Sequence, residues 1–475
     1  MASAAGGTAV FDSMDTATQT AAASTAGLRR ELGLASTTAT VIGGIIAVGI
    51  FLTPAGMAKA LGSPLWLLVV WLVVGAMTLS GALCYGELAG RFPRAGGAYI
   101  YLQKSFGPRI AFLYGWMCLL VMDPAVAASF ATGIGGYFAY ISRVSPILTK
   151  LLGSGVIWAL CLLNIFSIRL SAGFLRWVTW VKLGLLGFLT AWALVFRLGS
   201  WSNFVPFVAQ HPGSMPLAPA LGIGVVGAFF SFAGWWDVGK IAGEVRDPGR
   251  TLPRALLLGV LAVTTVYIAV SAVFLYLVPP ENVTSDQTFV AQAGEVLFGP
   301  TGGRVLSAIV IVCLLGSLAA LIISAPRVYY AMANDGLFFK AVAQTHPRFG
   351  TPANAIAIQG FIASLLVFAG SFEQIISYAL FIVILFLGIT VAGLFVLRSR
   401  QQAGESVILT PGYPLTPLAF LTLVVLMLIL VAAHTPRGAL LGVVVVLAGL
   451  PVYEIFQRRK AFALGIIGRK EELSS

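Results

Sequence analysis

Residues 43–51 read Gly-Gly-Ile-Ile-Ala-Val-Gly-Ile-Phe and lie inside the first apolar segment of the chain. A membrane-spanning helix satisfies its backbone hydrogen bonds internally, and three glycines within seven residues weaken such a helix. Backbone that is not helical is tolerated at membrane depth only where it is buried in protein or lines a water-filled cavity. The stretch therefore predicts an interrupted helix beside a cavity.

An interruption here would produce two short helices with opposite electrostatic ends. A helix that begins near Val48 would direct free N–H groups and a positive dipole end into the cavity. A helix that ends near Ile46 would offer free carbonyl oxygens to the same space. Together they could hold a carboxylate and an ammonium group side by side, as broken helices do in transporters. The alternative is that the glycines only allow helices to pack closely.

The composition indicates a polytopic membrane protein. The chain has 475 residues, of which 59% are hydrophobic and 10% charged, and its mean hydropathy is +0.95. The net charge of +12 does not indicate nucleic acid binding, because most basic residues lie in short connections between apolar runs. Neither a disulfide nor a metal site is predicted, because all four cysteines fall inside apolar segments without metal-ligand spacing: Cys84, Cys118, Cys161 and Cys313.

Since about 20 apolar residues span a bilayer, the pattern predicts an all-α protein with twelve membrane-spanning helices. They occupy roughly residues 34–60, 65–90, 110–140, 153–168, 174–197, 219–240, 255–279, 303–332, 353–370, 375–397, 414–433 and 437–457. The eighth could extend into the amphipathic stretch 327–339. Residues 1–27 lack the basic start and apolar core of a signal peptide, and we expect a disordered cytoplasmic tail.

The basic residues predict the orientation in the cell membrane. If both termini are cytoplasmic, the inner loops and tails carry most arginines and lysines. The outer loops then carry only Lys59, Arg143, Lys150, Arg197, Arg304 and Arg437. Because cytoplasmic loops are enriched in these residues, the asymmetry favours an even number of spans and cytoplasmic termini. The longest outer loop, residues 279–303, is acidic, which agrees.

The sixth segment repeats the pattern of the first. Three glycines, at positions 222, 224 and 227, lead into Ser-Phe-Ala-Gly-Trp at residues 231–235, a polar interruption of an apolar run. Two interrupted segments five helices apart indicate an inverted-repeat transporter with a site near the bilayer midplane. The glycines also fit G-x-G-x-x-G, but no strand precedes them, and we predict no dinucleotide site. The sequence has no metalloprotease, P-loop or nucleophile-elbow motif, so neither enzyme activity nor a cofactor is expected.

Two charged residues are predicted in mid-membrane positions. Lys182 lies about midway along the fifth helix, where a charge is expensive and indicates function. Its ammonium could replace a bound cation, hold the broken first helix through carbonyls or titrate; alternatively it extends to the interface. Asp123 precedes Pro124, which should kink the third helix and free a carbonyl. Asp123 could cap the kink, pair with a neighbouring helix, carry protons or bind a cationic substrate.

Charged residues near helix ends are expected to pair with one another. Glu87 ends the second helix near Arg91 and Arg94, which predicts an interfacial, structural ion pair. Asp237 and Lys240 end the sixth helix and are expected to pair in an inner gate with the charged residues that follow. The two mid-membrane residues described above are therefore the only ionisable groups predicted to be buried.

Several motifs between residue 28 and about residue 421 share the pattern of a known family. They are Ala-Leu-Cys-Tyr-Gly-Glu-Leu at 82–88, Pro-Arg-Ala-Gly-Gly-Ala-Tyr-Ile-Tyr at 93–101, Gly-Trp at 234–235, Gly-Glu-Val-Arg-Asp-Pro at 243–248, Leu-Pro-Arg-Ala at 252–255, Thr-Val-Ala-Gly-Leu-Phe-Val-Leu-Arg at 390–398 and Pro-Gly-Tyr-Pro at 411–414. In these motifs the chain resembles the amino acid–polyamine–organocation (APC) superfamily, and within it the L-type amino acid transporter branch. The resemblance implies the leucine-transporter fold, with inverted repeats in residues 28–200 and 201–400, two further helices in 401–460 and a cytoplasmic tail from 461 to 475.

The resemblance also implies a substrate site at the two interruptions. Three backbone amides would bind the substrate carboxylate, those of Ala47, Val48 and Gly49. Three carbonyl oxygens would bind its ammonium group, those of Ile45, Phe230 and Ala233. The ring of Phe230 would act as a lid, and the remaining expected substrate contacts are Gly234 and Trp235.

Three residues are expected to couple substrate binding to transport. Lys182 falls where sodium-independent members of the superfamily carry a lysine in place of a sodium ion. Ser317, on the eighth helix, would lie near it. Asp123 falls where the cationic-amino-acid branch has a glutamate in helix three.

The chain departs from the family pattern at three places. Residues 47–49 read Ala-Val-Gly where the family usually has Gly-Ser-Gly or Gly-Thr-Gly, which narrows the carboxylate site. Trp236 takes a position that is often small and polar. Residues 141–153 contain no cysteine, whereas members that pair with a heavy subunit use one in the loop after helix three. We therefore expect no disulfide-linked partner.

These features predict a sodium-independent secondary transporter of amino acids that works by alternating access, as an exchanger or a proton-coupled symporter. The expected partners are a small-molecule substrate and the lipid bilayer. One alternative is a transporter of amines, polyamines or cationic amino acids. Another is a membrane sensor that binds an amino acid without moving it.

Overall fold

A computed structural model describes residues 28, 30–47, 49–279, 293–294, 296–369, 372–400, 409–434 and 436–463. The α-helices are α1 (Leu34–Ile45), α2 (Gly49–Leu61), α3 (Pro64–Arg91), α4 (Ala98–Phe106), α5 (Pro108–Met117), α6 (Asp123–Ser142), α7 (Pro146–Phe166), α8 (Ile168–Val195), α9 (Leu217–Phe232), α10 (Pro248–Leu277), α11 (Gly302–Ser324), α12 (Pro326–Asn334), α13 (Ala353–Ala369), α14 (Phe372–Ser399), α15 (Leu415–His434), α16 (Pro436–Leu447) and α17 (Gly449–Ala463). A π-helical turn joins α5 to α6, and 3₁₀ helices occupy Trp201–Phe204, Trp235–Glu244, Gly299–Thr301 and Lys340–Ala343. The predicted tail 1–27 lies outside the described residues, as does residue 464 onward.

The predicted all-α, multi-pass membrane architecture is confirmed. Within the described residues, ten helices are long and apolar enough to cross a membrane, while α1 and α13 are shorter apolar helices. The count of twelve spans and the division into repeats stay predictions. The eighth segment continues from α11 into α12, which reaches Asn334, so the predicted extension beyond Arg327 is present. The fourth segment begins at Pro146. The side chain of Ser145 caps the start of this helix by accepting a hydrogen bond from the Leu148 amide.

The two predicted interruptions are present, one in the first segment and one in the sixth. The first segment breaks between α1 and α2, where Ile46 has φ −70° and ψ 90°. The sixth breaks after α9, where Gly234 has φ +103° before the 3₁₀ helix Trp235–Glu244 begins. The left-handed region favours glycine, which explains this residue at the turn. The interruptions face each other, since a Cβ atom on Gly234 would lie 2.8 Å from the Gly44 carbonyl oxygen.

The glycines of the first segment also permit close packing. A Cβ atom on Gly43 would lie 2.8 Å from the Leu175 side chain in α8. A Cβ atom on Gly49 would lie 2.7 Å from the Cα atom of Ser231 in α9. The two explanations offered for this stretch are therefore both correct, at different positions.

In the third segment a π-helical turn lies where the sequence predicts a kink. The π-helical turn covers Cys118–Met122, and the amide of Asp123 donates to the carbonyl of Cys118 at its end. Pro124 follows at the start of α6 and supplies no amide hydrogen. The predicted distortion thus takes the form of one wide turn, a feature often found at functional sites.

Candidate functional site

A cavity of about 110 Å³ lies between the two interruptions. Its walls come from α1, the start of α2, α6, the end of α9, α11 and α14. Six of the predicted substrate residues line it: Ile45, Ala47, Gly49, Phe230, Ala233 and Gly234. Val48 lies outside the described residues. The structure thus brings most of the predicted site together around one space.

Trp235 is not among the residues that line this cavity in the described part of the chain, so its contact with substrate stays a prediction. Its side chain is 1% exposed and packs edge-on against Tyr85, with ring centroids 5.0 Å apart. The ring of Phe420, from α15, also packs edge-on against Trp235, with ring centroids 6.2 Å apart. Trp236 lines the cavity instead. The left-handed turn at Gly234 reorients the chain, and the direction of the next side chain could not be foreseen from sequence.

Lys182 is fully buried, with 0% of its surface exposed. Its Nζ atom donates to the carbonyl oxygen of Gly43 at 3.3 Å and also contacts that of Ile46. The Ser317 hydroxyl lies 3.3 Å from Nζ and 2.8 Å from each of the same two carbonyls. The alternative that Lys182 extends to the interface is therefore wrong. The ammonium holds carbonyl groups at the open end of α1, where the helix leaves them without intrahelical partners.

Tyr267, in α10, is a site residue that sequence reasoning missed. Its hydroxyl lies 3.0 Å from the carbonyl oxygen of Ile45 and 2.8 Å from that of Ser231. Its single hydroxyl hydrogen can be donated to either carbonyl, so Tyr267 links the two interruptions and lies beside the Ile45 carbonyl that was expected to meet the substrate ammonium. The Phe230 carbonyl likewise accepts from the Ala233 amide at 3.2 Å. A tyrosine inside an apolar helix needs a hydrogen-bond partner, and that need was the available signal.

Asp123, Lys240 and Asp237 form a buried charged cluster. The Lys240 Nζ atom lies 2.9 Å from Oδ1 of Asp123 and 2.9 Å from Oδ1 of Asp237. The Tyr329 hydroxyl donates to Oδ2 of Asp123 at 3.0 Å. Asp123 and Asp237 are both among the residues that line the cavity. Of the alternatives for Asp123, pairing with a neighbouring segment is the one observed. The predicted Asp237–Lys240 pair is also present, but it extends into the membrane-spanning core.

The prediction of only two buried ionisable groups is wrong. In the described part of the chain four further charged side chains are buried, namely Glu87, Lys240, Glu244 and Arg327. Each has a partner of opposite charge, which lowers the cost of burial. Glu87 pairs with Arg91 at 2.8 Å, as predicted, and with Arg398 at 2.6 Å. Its expected neighbour Arg94 instead lies 3.8 Å from Asp335.

The 3₁₀ helix of the sixth segment is fixed at its far end by contacts with three parts of the chain. The amides of Glu31 and Leu32 both lie 2.9 Å from the Glu244 carbonyl. The Glu244 carboxylate accepts a hydrogen bond from Nε of Arg327 at 2.6 Å. The amide of Gly96 donates to the Lys240 carbonyl at 2.9 Å. This end of the molecule, which we call the Glu244 end, is therefore closed.

The sequence of the chain matches the model of a known family over most of its length. The model of the family described as amino acid permease covers residues 32–448. This chain belongs to the amino acid permease family. The predicted resemblance to the APC superfamily, near its L-type branch, is confirmed by this match and by individual relatives. Members of this permease family are membrane transporters and not enzymes.

Individual relatives match over most of their length. The serine/threonine exchanger SteT of Bacillus subtilis is 29% identical over 441 residues, which cover 92% of this chain and 98% of the relative. The mouse b(0,+)-type amino acid transporter 1 is 27% identical over 91% of this chain and 89% of its own. The human cystine/glutamate transporter is 26% identical over 90% of this chain and 85% of its own. The prediction of amino acid transport is confirmed at that level.

Proposed function

We propose that this permease carries amino acids across the cell membrane without sodium, by alternating access at the two helix interruptions. The observation that supports this most directly is the contact of Lys182 with the Gly43 and Ile46 carbonyls. A ring of carbonyl and hydroxyl oxygens at the end of a half-helix is a cation site in broken-helix transporters. Here the ammonium already supplies the positive charge, so a dissolved cation has neither the space nor the electrostatic need to bind.

The substrate would lie in the cavity with its carboxylate at the start of α2. Ala47 and Gly49 line the cavity at that point, and the amides at a helix N-terminus favour an anion. Phe230 lines the same space and is suited to cover a small ligand. The carbonyl of Ala233, which lines the cavity, would accept the substrate ammonium, while the Ile45 carbonyl lies 3.0 Å from the Tyr267 hydroxyl.

Release on the other side requires the Glu244 end to open. The excess of basic residues there supports a cytoplasmic location for that end and for both termini. In the described conformation the Glu244–Arg327 pair and the backbone contacts of residues 31 and 32 keep it closed. Transport would alternate between this state and one in which these contacts separate.

Exchange of one amino acid for another is the mode we favour over proton symport. Asp123, the predicted proton carrier, is engaged by both Lys240 and Tyr329. The Bacillus subtilis relative is named as an exchanger.

One human relative is named as a small subunit. Residues 141–153 of this chain lack a cysteine, and we propose that this chain acts without a disulfide-linked partner.

The test is uptake into proteoliposomes that contain the purified protein. L-serine, L-leucine and L-lysine serve as labelled probes, with and without unlabelled amino acid inside the vesicles. Uptake should require internal amino acid and should be equal in sodium and choline buffers. Binding of these probes without any flux would indicate the alternative function of a membrane sensor. Flux that rises steeply with sodium would refute the proposed role of Lys182.

A further inference from the structure

Two acidic residues and no basic residue are among those that line the cavity within the described part of the chain. The carboxylates are those of Asp123 and Asp237, and Lys240 lies behind them with 1% of its side chain exposed. When all three groups are ionised, their charges sum to one negative charge. Within the described residues, the basic side chain that forms ion pairs with these carboxylates is that of Lys240, which pairs with both.

The two carboxylates differ in how fully they are satisfied. Asp123 receives a hydrogen bond on each oxygen, from Lys240 at 2.9 Å and from Tyr329 at 3.0 Å. The Oδ1 atom of Asp237 lies 2.9 Å from the Lys240 ammonium, but in an orientation that makes no hydrogen bond. The Asp237 side chain is 15% exposed, whereas that of Asp123 is fully buried. Asp237 is therefore the carboxylate with remaining capacity for a ligand.

The position of Asp237 relative to the interruptions suits a long substrate. Its amide donates to the Gly234 carbonyl at 3.2 Å, which places it one 3₁₀ turn beyond the interruption. Three residues of a 3₁₀ helix advance the chain by roughly 6 Å. An extended four-carbon side chain with a terminal ammonium has a comparable length. A substrate held by its α-carboxylate at α2 could thus bring a second cation to Asp237.

We propose that Asp237 is the residue that determines substrate charge, by binding the distal cationic group of a basic amino acid. Lys240 pairs with both carboxylates, so the cluster keeps one negative charge for the substrate, and Asp237 is the more exposed of the two. A neutral amino acid would occupy the same cavity but would leave one negative charge without a counter-ion in a low-dielectric space, which is unfavourable. This inference rests on the proposed transport function and specifies its substrate class.

The experiment compares L-lysine with L-norleucine, which has the same carbon chain without the terminal ammonium. Binding of each is measured on purified protein in sodium-free buffer, for the wild type and for Asp237→Asn. We expect the wild type to prefer lysine and the variant to lose at least about tenfold in lysine affinity, with norleucine binding nearly unchanged. Glu454→Gln is the matched control, because it removes one negative charge from an exposed pair with Arg109 and should leave both affinities unchanged.

Two results would overturn the inference. An equal loss of lysine and norleucine binding in Asp237→Asn would assign the residue a structural role. An unchanged preference combined with an altered pH profile of uptake would assign it to a proton. Failure of the proposed transport function would give a different result, because the wild type would then transport neither lysine nor norleucine.

Discussion

Lys182 places a positive charge where hydrocarbon surrounds the protein, and its surroundings explain why it is tolerated. The ammonium has oxygen partners at Gly43, Ile46 and Ser317, so the charge is solvated by the end of α1 in place of water. The same contacts satisfy carbonyl groups that the interruption would otherwise leave unpaired. One side chain therefore stabilises the break, and we propose that it takes the place of a bound cation.

Replacement of Lys182 by alanine should abolish uptake without preventing expression. The variant loses both the charge and the contacts that hold the end of α1, and the carboxylate site depends on that geometry. Uptake in proteoliposomes and the elution profile of the detergent-solubilised protein check the two statements. Lys59→Ala, which removes an exposed lysine from α2, is the control and should transport normally. Near-normal flux in Lys182→Ala would leave the residue only a structural role.

Replacement of Asp123 by asparagine should lower stability more than it changes pH dependence. Asparagine keeps the shape but removes a charge that Lys240 and Tyr329 both contact, at a cost of about 1–3 kcal/mol. Lys240 retains Asp237, which limits the loss. Thermal unfolding measures the first effect, and uptake from acidic to neutral pH measures the second. A pH profile that flattens in the variant would restore Asp123 as a proton carrier.

The 3₁₀ helix Trp235–Glu244 is the element on which the closed state depends. It carries Asp237 and Lys240 at the cavity and Glu244 at its far end, so one element joins substrate binding to the closure. A 3₁₀ helix has poorer hydrogen-bond geometry than an α-helix. Contacts from other segments therefore supply much of its stability, and their loss would free it to move.

Replacement of Arg327 by methionine should destabilise the protein by about 3–5 kcal/mol, because it leaves Glu244 buried without a counter-charge. Thermal unfolding in detergent tests this. Arg169→Met removes an arginine that is 69% exposed and paired with Glu31, and a change of only about 0–1 kcal/mol is expected. Similar shifts for both variants would mean that the buried pair contributes no more than a surface pair.

The sequence predicts the interruptions well because their cause is local. Glycines near positions 43–49 and 234 are adjacent in the chain to the backbone that they loosen. The charged clusters have no local signature, since Asp123 and Lys240 are 117 residues apart and Glu87 and Arg398 are 311 apart. For this reason the ionisable groups near helix ends were expected at interfaces and are instead buried. The contacts of Tyr267 were missed for the same reason.

At the scale of the whole molecule, the hydrophobic pattern and the family agree on a multi-pass bundle around a central cavity. Large apolar side chains face outward on many helices, as expected where lipid replaces water. Trp177 and Trp180 on α8 are both more than half exposed, while Lys182 on the same helix is buried. The bundle therefore separates a lipid-facing surface from a polar interior along single helices.

Replacement of sodium by choline should change neither the thermal stability of the protein nor its uptake of amino acids. The physical reason is that a ligand stabilises only the state that binds it, and Lys182 already occupies the candidate cation position. Unfolding temperature and initial uptake rate are measured in matched buffers of equal ionic strength. A stabilisation that grows with sodium concentration would contradict this expectation. Amino acids added in the same assay should raise the unfolding temperature, which serves as the positive control.

The four cysteines are all fully buried, and this gives the native protein a practical property. A water-soluble maleimide should leave the wild type unlabelled, so a single cysteine introduced on the surface becomes a unique chemical handle. Fluorophores could then be attached on either side of the bilayer without first removing the natural thiols. The wild-type chain is thus its own background for mapping sidedness and for following the opening and closing of the transporter one molecule at a time.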